Sequence, residues 1–313
     1  MDGIINVYKE RGYTSFDVVA KLRGILHERR VGHTGTLDPE AEGVLPVCVG
    51  QATKACELLL DKDKEYEAVL LFGMETDTQD ITGKILSNRV VTADAEEAQQ
   101  ALLSFVGTYQ QIPPMYSALK VNGKKLYELA REGKTVERAP RPVTIYSIKI
   151  LETIFSQISE RSVSDENTIR FLVTCSKGTY IRTLCEDVGR KLGCGGCMKS
   201  LKRTRVSSFL ESESYTLSEI ERISKDGRME EILMPIDRLF LSYPVLRMRA
   251  GADKSLHNGN KLYPGEVFLE AKEEEMEASF RVYDSSGKFY ALYRYDPAQD
   301  CYRNIKMFAI CPT

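Results

Sequence analysis

Three short stretches carry side chains that could do chemistry. In Gly32-His33-Thr34-Gly35-Thr36-Leu37-Asp38-Pro39 a single carboxylate sits on a glycine-rich backbone. Glycine lets the main chain approach a ligand closely and adopt unusual dihedrals, and Pro39 biases Asp38 towards an extended conformation. An aspartate fixed in a stiff, narrow loop can be offered to a substrate with little freedom to move. The second stretch, Lys64-Glu65-Tyr66, puts a tyrosine in a strand, where packing is its usual role. The third, Cys175-Ser176-Lys177-Gly178-Thr179-Tyr180-Ile181-Arg182, reads as a strand end, a glycine turn and a helix start. Arg182 falls in the first helical turn, where a cation gains nothing from the helix dipole, so a buried carboxylate is its natural partner. Taken singly, each stretch has an ordinary reading: a turn aspartate, a packed tyrosine, a surface arginine.

The elements that would position these residues follow from pattern. Residues 3–8 read as a strand and are followed by a helix whose Thr14-x-x-Asp17 resembles a capping box. Phe16, Val19, Ile25 and Leu26 recur at roughly helical spacing on it. The segment 31–43, with three glycines and a proline, is expected to be a shaped loop without regular structure. Strands are expected over 44–49, 64–72, 143–151 and 169–175, and helices over 52–60, 93–106, 126–131 and 179–192. Residues 155–167 are polar and serine-rich, as in an exposed hairpin tip. From about Tyr243 short strand-like runs at 267–269, 279–283, 290–295 and 305–309 alternate with turn signals, which suggests a small β-barrel with its boundary between Pro235 and Pro244.

Length and charge bound the reading further. A chain of 313 residues, 42 % hydrophobic and 28 % charged, suggests two domains, or one large and one small. No basic and apolar leader and no membrane-length apolar run is visible, so a soluble, cytoplasmic protein is expected. Eight cysteines are too sparse for a disulfide scaffold, and Cys194-Gly-Gly-Cys197 lacks a second ligand pair for zinc, so a tight glycine turn is the expected reading. The formal net charge of −2 argues against a polyanion partner, but the cations are segregated. They concentrate in 120–141, with Lys120, Lys124, Lys125 and Arg141, and in 190–205, with Lys199, Lys202 and Arg203. A nearly neutral chain can still present a basic groove to phosphate.

Together these stretches resemble the signature of the TruB-type tRNA pseudouridine-55 synthases. The resemblance rests on Gly32-His-Thr-Gly-Thr-Leu-Asp38-Pro with Gly43-Val-Leu-Pro-Val47 behind it, Lys64-x-Tyr66, and Thr76-Asp77-Thr78-x-Asp80. Pro113-Pro114-x-Tyr116-Ser117-Ala118-Leu119-Lys120, Ser176-Lys-Gly-Thr-Tyr-Ile-Arg182 and Leu201-Lys202-Arg203-Thr204 complete the ordered set, from Gly3 to about Asp237. The tail resembles, more weakly, the small RNA-binding PUA barrel. The resemblance implies an α+β fold: a pseudouridine synthase core of mixed, mainly antiparallel sheet with flanking helices over 1–240, and a PUA-like C-terminal β-barrel over 241–313. A basic, RNA-clamping insertion would lie at about 123–141.

The resemblance also implies roles. Asp38 matches the catalytic aspartate, Tyr66 the tyrosine that stacks on the flipped base, Arg182 the arginine that pairs with the aspartate, and His33 the histidine that fills the vacated space. Leu201 sits where backbone contacts the uracil edge; Asp80 falls in a motif that orders the site, and Tyr180 adjoins the substrate. The reaction breaks N1–C1′ and makes C5–C1′ on an extruded uridine. It involves no redox change or phosphoryl transfer, so neither cofactor nor metal is expected. Lys120, Lys124, Lys125, Arg141, Lys199, Lys202 and Arg203 would contact the RNA backbone. A non-catalytic RNA-binding relative could have lost Asp38, Tyr66 or Arg182, and all three are present. Guide-RNA-dependent relatives tend to lack the basic insertion, so a monomer acting on the T-stem and T-loop of tRNA, without guide RNA or obligatory protein partner, is the expectation.

Overall fold

The computed structural model describes residues 1–60, 62–121, 123–156, 166–270 and 279–309. The first part of the chain runs β1 (Gly3–Lys9), α1 (Ser15–Leu26), β2 (Val31–His33), β3 (Glu42–Val49), α2 (Cys56–Leu60), β4 (Lys64–Phe72), β5 (Met74–Thr76) and β6 (Ile85–Asn88). It continues through α3 (Ala95–Leu103), β7 (Gly107–Gln111), β8 (Lys120–Val121), β9 (Lys124–Lys125), α4 (Leu126–Arg131), β10 (Arg141–Ile154) and β11 (Thr168–Cys175). Then come α5 (Ile181–Lys191), β12 (Gly196–Val206), β13 (Phe209–Leu210) and α6 (Leu217–Lys225). The chain ends with β14 (Val245–Met248), α7 (Asp253–His257), β15 (Val267–Glu270), β16 (Ser279–Tyr283), β17 (Phe289–Asp296) and β18 (Cys301–Met307).

A nine-stranded sheet in the order β1-β3-β12-β4-β11-β10-β7 forms the frame, with β2 on β3 and β13 on β12. Its pairings are antiparallel except β3 with β12, which run parallel. This is the mixed, mainly antiparallel α+β fold expected. β4 and β12 are central and alternate in burial, Lys64, Tyr66, Ala68 and Leu70 being buried on one and Leu201, Arg203 and Val206 on the other. One core lies between this sheet and α3 and α5, built on Phe72, Phe171, Leu184 and Val188. A second lies under α1 and α6.

Local chemistry explains several element ends. Thr14 caps α1 and Asp17 bonds back to it, as the sequence suggests. Thr216 and Glu219 do the same for α6. Other expectations need correction. Phe16 is 68 % exposed, and α1 packs through Ser15, Val18, Val19 and Leu22 instead. The segment 31–43 is not wholly loop, because Val31–His33 pairs with β3. The helix expected over 52–60 is a 3₁₀ turn, Gly50–Ala55, followed by the short α2. Cys194 lies in the glycine turn, whereas Cys197 is a strand residue of β12.

The tail forms a five-stranded sheet in the order β15-β14-β16-β17-β18 around Leu246, Phe280, Val282 and Tyr293. Among the described residues β15 and β18 do not pair, so this is an open sheet and not the closed barrel expected. Phe240, Leu292 and Phe308 join it to Ile4, Val44 and Ala52 of the larger unit. The tip of the expected hairpin at 155–167 lies mostly outside the described residues. Among the described residues, no helix is long and apolar enough to cross a membrane.

Candidate active site

The loop between β2 and β3 is tied down from several sides. Thr34, fully buried, donates through both its amide and its hydroxyl to Pro46 O at 3.1 Å. The Leu37 amide donates to Ser15 Oγ at 2.9 Å, and Leu37 packs into the core. Gly12 N donates to Pro39 O at 2.9 Å, and Lys9 Nζ reaches the same oxygen at 3.1 Å. Gly43 ends the loop at φ +106°, where a Cβ would come within 2.3 Å of Arg203 O, so only glycine fits without backbone movement. Asp38 therefore projects from a loop held before and after it.

Arg182 faces Asp38. Its Nε lies 2.9 Å from Asp38 Oδ2 and its Nη2 donates to Oδ1 at 3.3 Å, a two-pronged pairing of guanidinium and carboxylate. Two further donors go to main chain: Nη1 to Thr78 O and Nη2 to Tyr116 O, both at 2.8 Å. The arginine side chain is 6 % exposed and the aspartate 36 %, so the cation is sealed while one side of the carboxylate stays open. Arg182 is the second residue of α5, whose dipole disfavours a cation there, and Asp38 supplies the compensating charge.

Of the other expected residues, Tyr66 and Tyr180 lie close enough to Asp38 to feel its charge. Tyr66 on β4 pairs in register with Arg203 on β12, and Leu201 lies two residues along the same strand, opposite Ala68. Tyr66 is 7 % exposed, and burial, its largest influence, pushes its phenol up to about 12. Tyr180 caps α5 from outside; its amide donates to Gln111 Oε1 and its carbonyl accepts from Gln111 Nε2. Asp80 Oδ1 accepts from Thr78 Oγ1 at 2.8 Å and from Thr82 N and Oγ1 at 2.9 and 2.6 Å. That closes the turn whose Thr78 carbonyl receives Arg182, so Asp80 stands one link behind the pair. His33 accepts from Gly35 N at Nδ1, and burial, then Arg203, lower its pKa.

The expected phosphate-binding cations divide. Lys120 and Lys124 are exposed on the β8–β9 ribbon, Lys125 is half-buried against the Tyr127 ring, and Arg141 is exposed at the start of β10. This ribbon is anchored by buried Leu126, whose amide donates to Leu119 O, and it continues from Tyr116, the residue whose carbonyl holds Arg182. The second cluster is less exposed and its lysines are ion-paired, as Lys124 on the ribbon is with Glu132. Lys199 pairs with Glu166, and Lys202 with Glu211. Arg203 is only 1 % exposed and donates to Val44 O at 2.7 Å and Gly35 O at 3.2 Å, so it cannot reach a phosphate; it holds the Asp38 loop against β12 and Tyr66.

Lys9 was not expected. It is fully buried, donates to Glu10 O, Tyr13 O and Pro39 O, and burial lowers its pKa to about 8, with Asp38 acting in the opposite sense. No sequence signal marks it, because its partners are main-chain carbonyls that only the fold brings together. Among the described residues, no cluster of three or more His, Cys, Asp or Glu side chains could hold a metal ion.

This architecture is that of the pseudouridine synthases. It resembles the solved Cbf5–Nop10–Gar1 complex, with a TM-score of 0.69 and 26 % identity over 98 % of this chain and 85 % of that one. A H/ACA RNP bound to a substrate RNA containing 2′-deoxyuridine shares the fold, with a TM-score of 0.69 and 23 % identity over 98 % of this chain and 85 % of that one. Residues 23–181 match the TruB family pseudouridylate synthase N-terminal domain, and 182–241 the tRNA pseudouridylate synthase B C-terminal domain. The tRNA pseudouridine synthase B of Lachnoclostridium phytofermentans is 54 % identical over 98 % of this chain and all of its own. That of Limosilactobacillus reuteri is 43 % identical over 99 % of this chain and all of its own. The chain belongs to the TruB family of pseudouridylate synthases.

Proposed function

We propose that this enzyme converts a uridine in the T-loop of tRNA, at position 55, to pseudouridine, with Asp38 as the carboxylate that acts on the nucleotide. The reading rests above all on the fork between Asp38 and Arg182, which keeps an anion aimed from a rigid loop with one side open. The target uridine must leave its stack to enter such a site. Tyr66 offers the flipped base a ring, Leu201 lies beside it on β12, and His33 fills the space the base leaves. The bond from C1′ to N1 breaks and one from C1′ to C5 forms; C5 gives up its proton and N1 gains one. The electron count of the substrate is unchanged. Tyr66 presents its ring to the incoming base, and its phenol, pushed up to about 12 by burial, carries no charge at neutral pH.

The β8–β9 ribbon and Arg141 contact the tRNA backbone, and residues 241–313 form a separate RNA-contacting domain. The enzyme works in the cytoplasm as a monomer without guide RNA; the exposed lysines on the ribbon support direct RNA binding. Incubating the protein alone with unmodified tRNA and mapping pseudouridine by chemical adduct sequencing tests this. A single modified T-loop position is expected, and no modification without added RNA or protein factors would overturn it.

A further inference from the structure

Arg182 is aimed by an oxygen that belongs to a strained turn. Its Nη1 donates to Thr78 O at 2.8 Å. The next residue, Gln79, sits at φ +65°, in the left-handed region that is costly for a residue with a Cβ. Rotation about the Gln79 N–Cα bond turns the peptide plane that carries the Thr78 carbonyl, so this angle decides where Arg182 finds its acceptor. Such a backbone persists only where its surroundings hold it.

Two elements hold Gln79 from opposite ends. On the main-chain side, Gln79 O accepts from Met198 N at 2.9 Å and Ile81 N donates to Met198 O at 3.1 Å, which docks the turn on β12. The side chain reaches α5 instead: Oε1 accepts from Thr183 Oγ1 at 2.8 Å, and Nε2 donates to Glu186 Oε2 at 2.5 Å. Thr183 is buried and follows Arg182 directly; Glu186, three residues further on, shares its helix face. A carboxylate only accepts, so the amide nitrogen must face Glu186 and its oxygen the Thr183 hydroxyl. Arg190 donates to the same Glu186 oxygen at 2.9 Å and steadies it. The helix that carries Arg182 is thus bonded, through Gln79, to the turn that receives the Arg182 guanidinium.

We propose that Gln79 is a positioning residue for the reaction: its amide, clamped between Thr183 and Glu186, holds the left-handed turn that aims Thr78 O, and so fixes the Arg182 fork that orients Asp38. The inference rests on the proposed reading that Asp38 and Arg182 act on a uridine in tRNA. It makes a demand on hydrogen-bond pattern as well as size. Gln79→Glu keeps the shape but sets two carboxylates face to face, which breaks the clamp. Gln79→Glu combined with Glu186→Gln rebuilds it with donor and acceptor exchanged, and the Thr183 hydroxyl still finds an oxygen.

The test uses the full-length enzyme and unmodified tRNA, with single-turnover pseudouridine formation, tRNA affinity and thermal unfolding measured for each variant. Gln79→Gly removes the amide but relieves the backbone, so it should melt close to wild type, bind tRNA as wild type does and react about tenfold more slowly. Gln79→Glu should slow the reaction at least as much, and adding Glu186→Gln should restore most of the rate, a recovery that general loosening of the fold would not give. In an Arg182→Met background Gln79→Gly should cost no more than about a further twofold, because both changes act through one contact. Wild-type rate for either single variant, no recovery in the exchanged pair, or an undiminished loss in the Arg182→Met background would overturn the positioning role while leaving the function intact. Absence of pseudouridine with the wild type would overturn both.

Discussion

Asp38 and Arg182, 144 residues apart in sequence, meet as two forks, with Nε 2.9 Å from Oδ2 and Nη2 3.3 Å from Oδ1. The arginine is sealed by protein and the aspartate is not. The same guanidinium reaches Thr78 O in the turn ordered by Asp80 and Tyr116 O at the root of the β8–β9 ribbon. It thus links the carboxylate to the two segments that flank it.

The basic residues should separate into two behaviours. Replacing Lys120, Lys124 and Lys125 together by Gln should weaken tRNA binding and make the slope of log affinity against log salt shallower by about 2–3, because fewer counterions are released. Arg203→Ala should instead destabilise the fold by about 3 kcal/mol, since two buried carbonyls lose their donor. Titrations at several salt concentrations and urea unfolding of both variants separate the two; an unchanged salt slope for the lysine variant would rule out the ribbon as a phosphate contact.

Tyr66→Leu should lose far more activity than Tyr66→Phe, because the proposed contact with the base is made by the ring and not by the hydroxyl. With the phenol pushed up to about 12, the wild-type pH profile should show no loss from tyrosine ionisation below about pH 10. Equal collapse of both variants in single-turnover assays would assign the hydroxyl a direct part.

Lys9→Met should leave Glu10 O, Tyr13 O and Pro39 O without their buried donor and cost about 3 kcal/mol of stability. The loop beside Asp38 would loosen, so kcat should fall more than KM rises. Thermal unfolding with steady-state kinetics checks this, and a fully stable, fully active variant would remove Lys9 from the support of the loop.

Asp187 on α5 gives a pH signature. Burial, its largest influence, raises its carboxyl to about 6 from an ordinary 3.8, against Arg190. The folded state then binds more protons than the unfolded one between these values, so this group's contribution to stability falls as pH rises from about 4 to 6. Asp187→Asn should stabilise the protein by roughly 1–3 kcal/mol at pH 7 and have little effect near pH 3.5. Denaturant unfolding of both proteins across that range measures it; a destabilised variant at pH 7 would show that the Arg190 contact outweighs burial.

What the sequence made legible was local. The capping box Thr14–Asp17, the helix Leu126–Arg131 and the strand Ser279–Tyr283 follow from short-range pattern and have the expected bounds or partners. Arg182 at an unfavourable helix end announced that a carboxylate must meet it, and the carboxylate is Asp38. What stayed hidden depends on contacts across the sheet. The strand Gly196–Val206 reads as a basic surface because Lys199, Lys202, Arg203 and Arg205 dominate it, yet it lies between β3 and β4 with Arg203 buried. Lys9 looks like a surface lysine until three carbonyls converge on it. Phe16 fits a helical core pattern and points outward, since one step along α1 turns it about 100° from Ser15 and off the face that Ser15, Val18 and Leu22 cover. The closure of the tail was misjudged for a related reason: strand runs and turns predict strands, not whether the outermost two meet.

Asp38→Asn tests the central claim most directly. The amide nearly preserves shape but carries no anion, so pseudouridine formation should fall by more than about 10³-fold while tRNA affinity, which phosphate contacts dominate, changes little. Arg182→Met should also lose activity, and the double variant should be little worse than Asp38→Asn alone, because the two side chains act as a unit. Tritium release from tRNA carrying 5-tritiated uridine, measured with binding on the same preparations, reads both quantities. The account predicts tight binding without release for Asp38→Asn; substantial tritium release by that variant would contradict it.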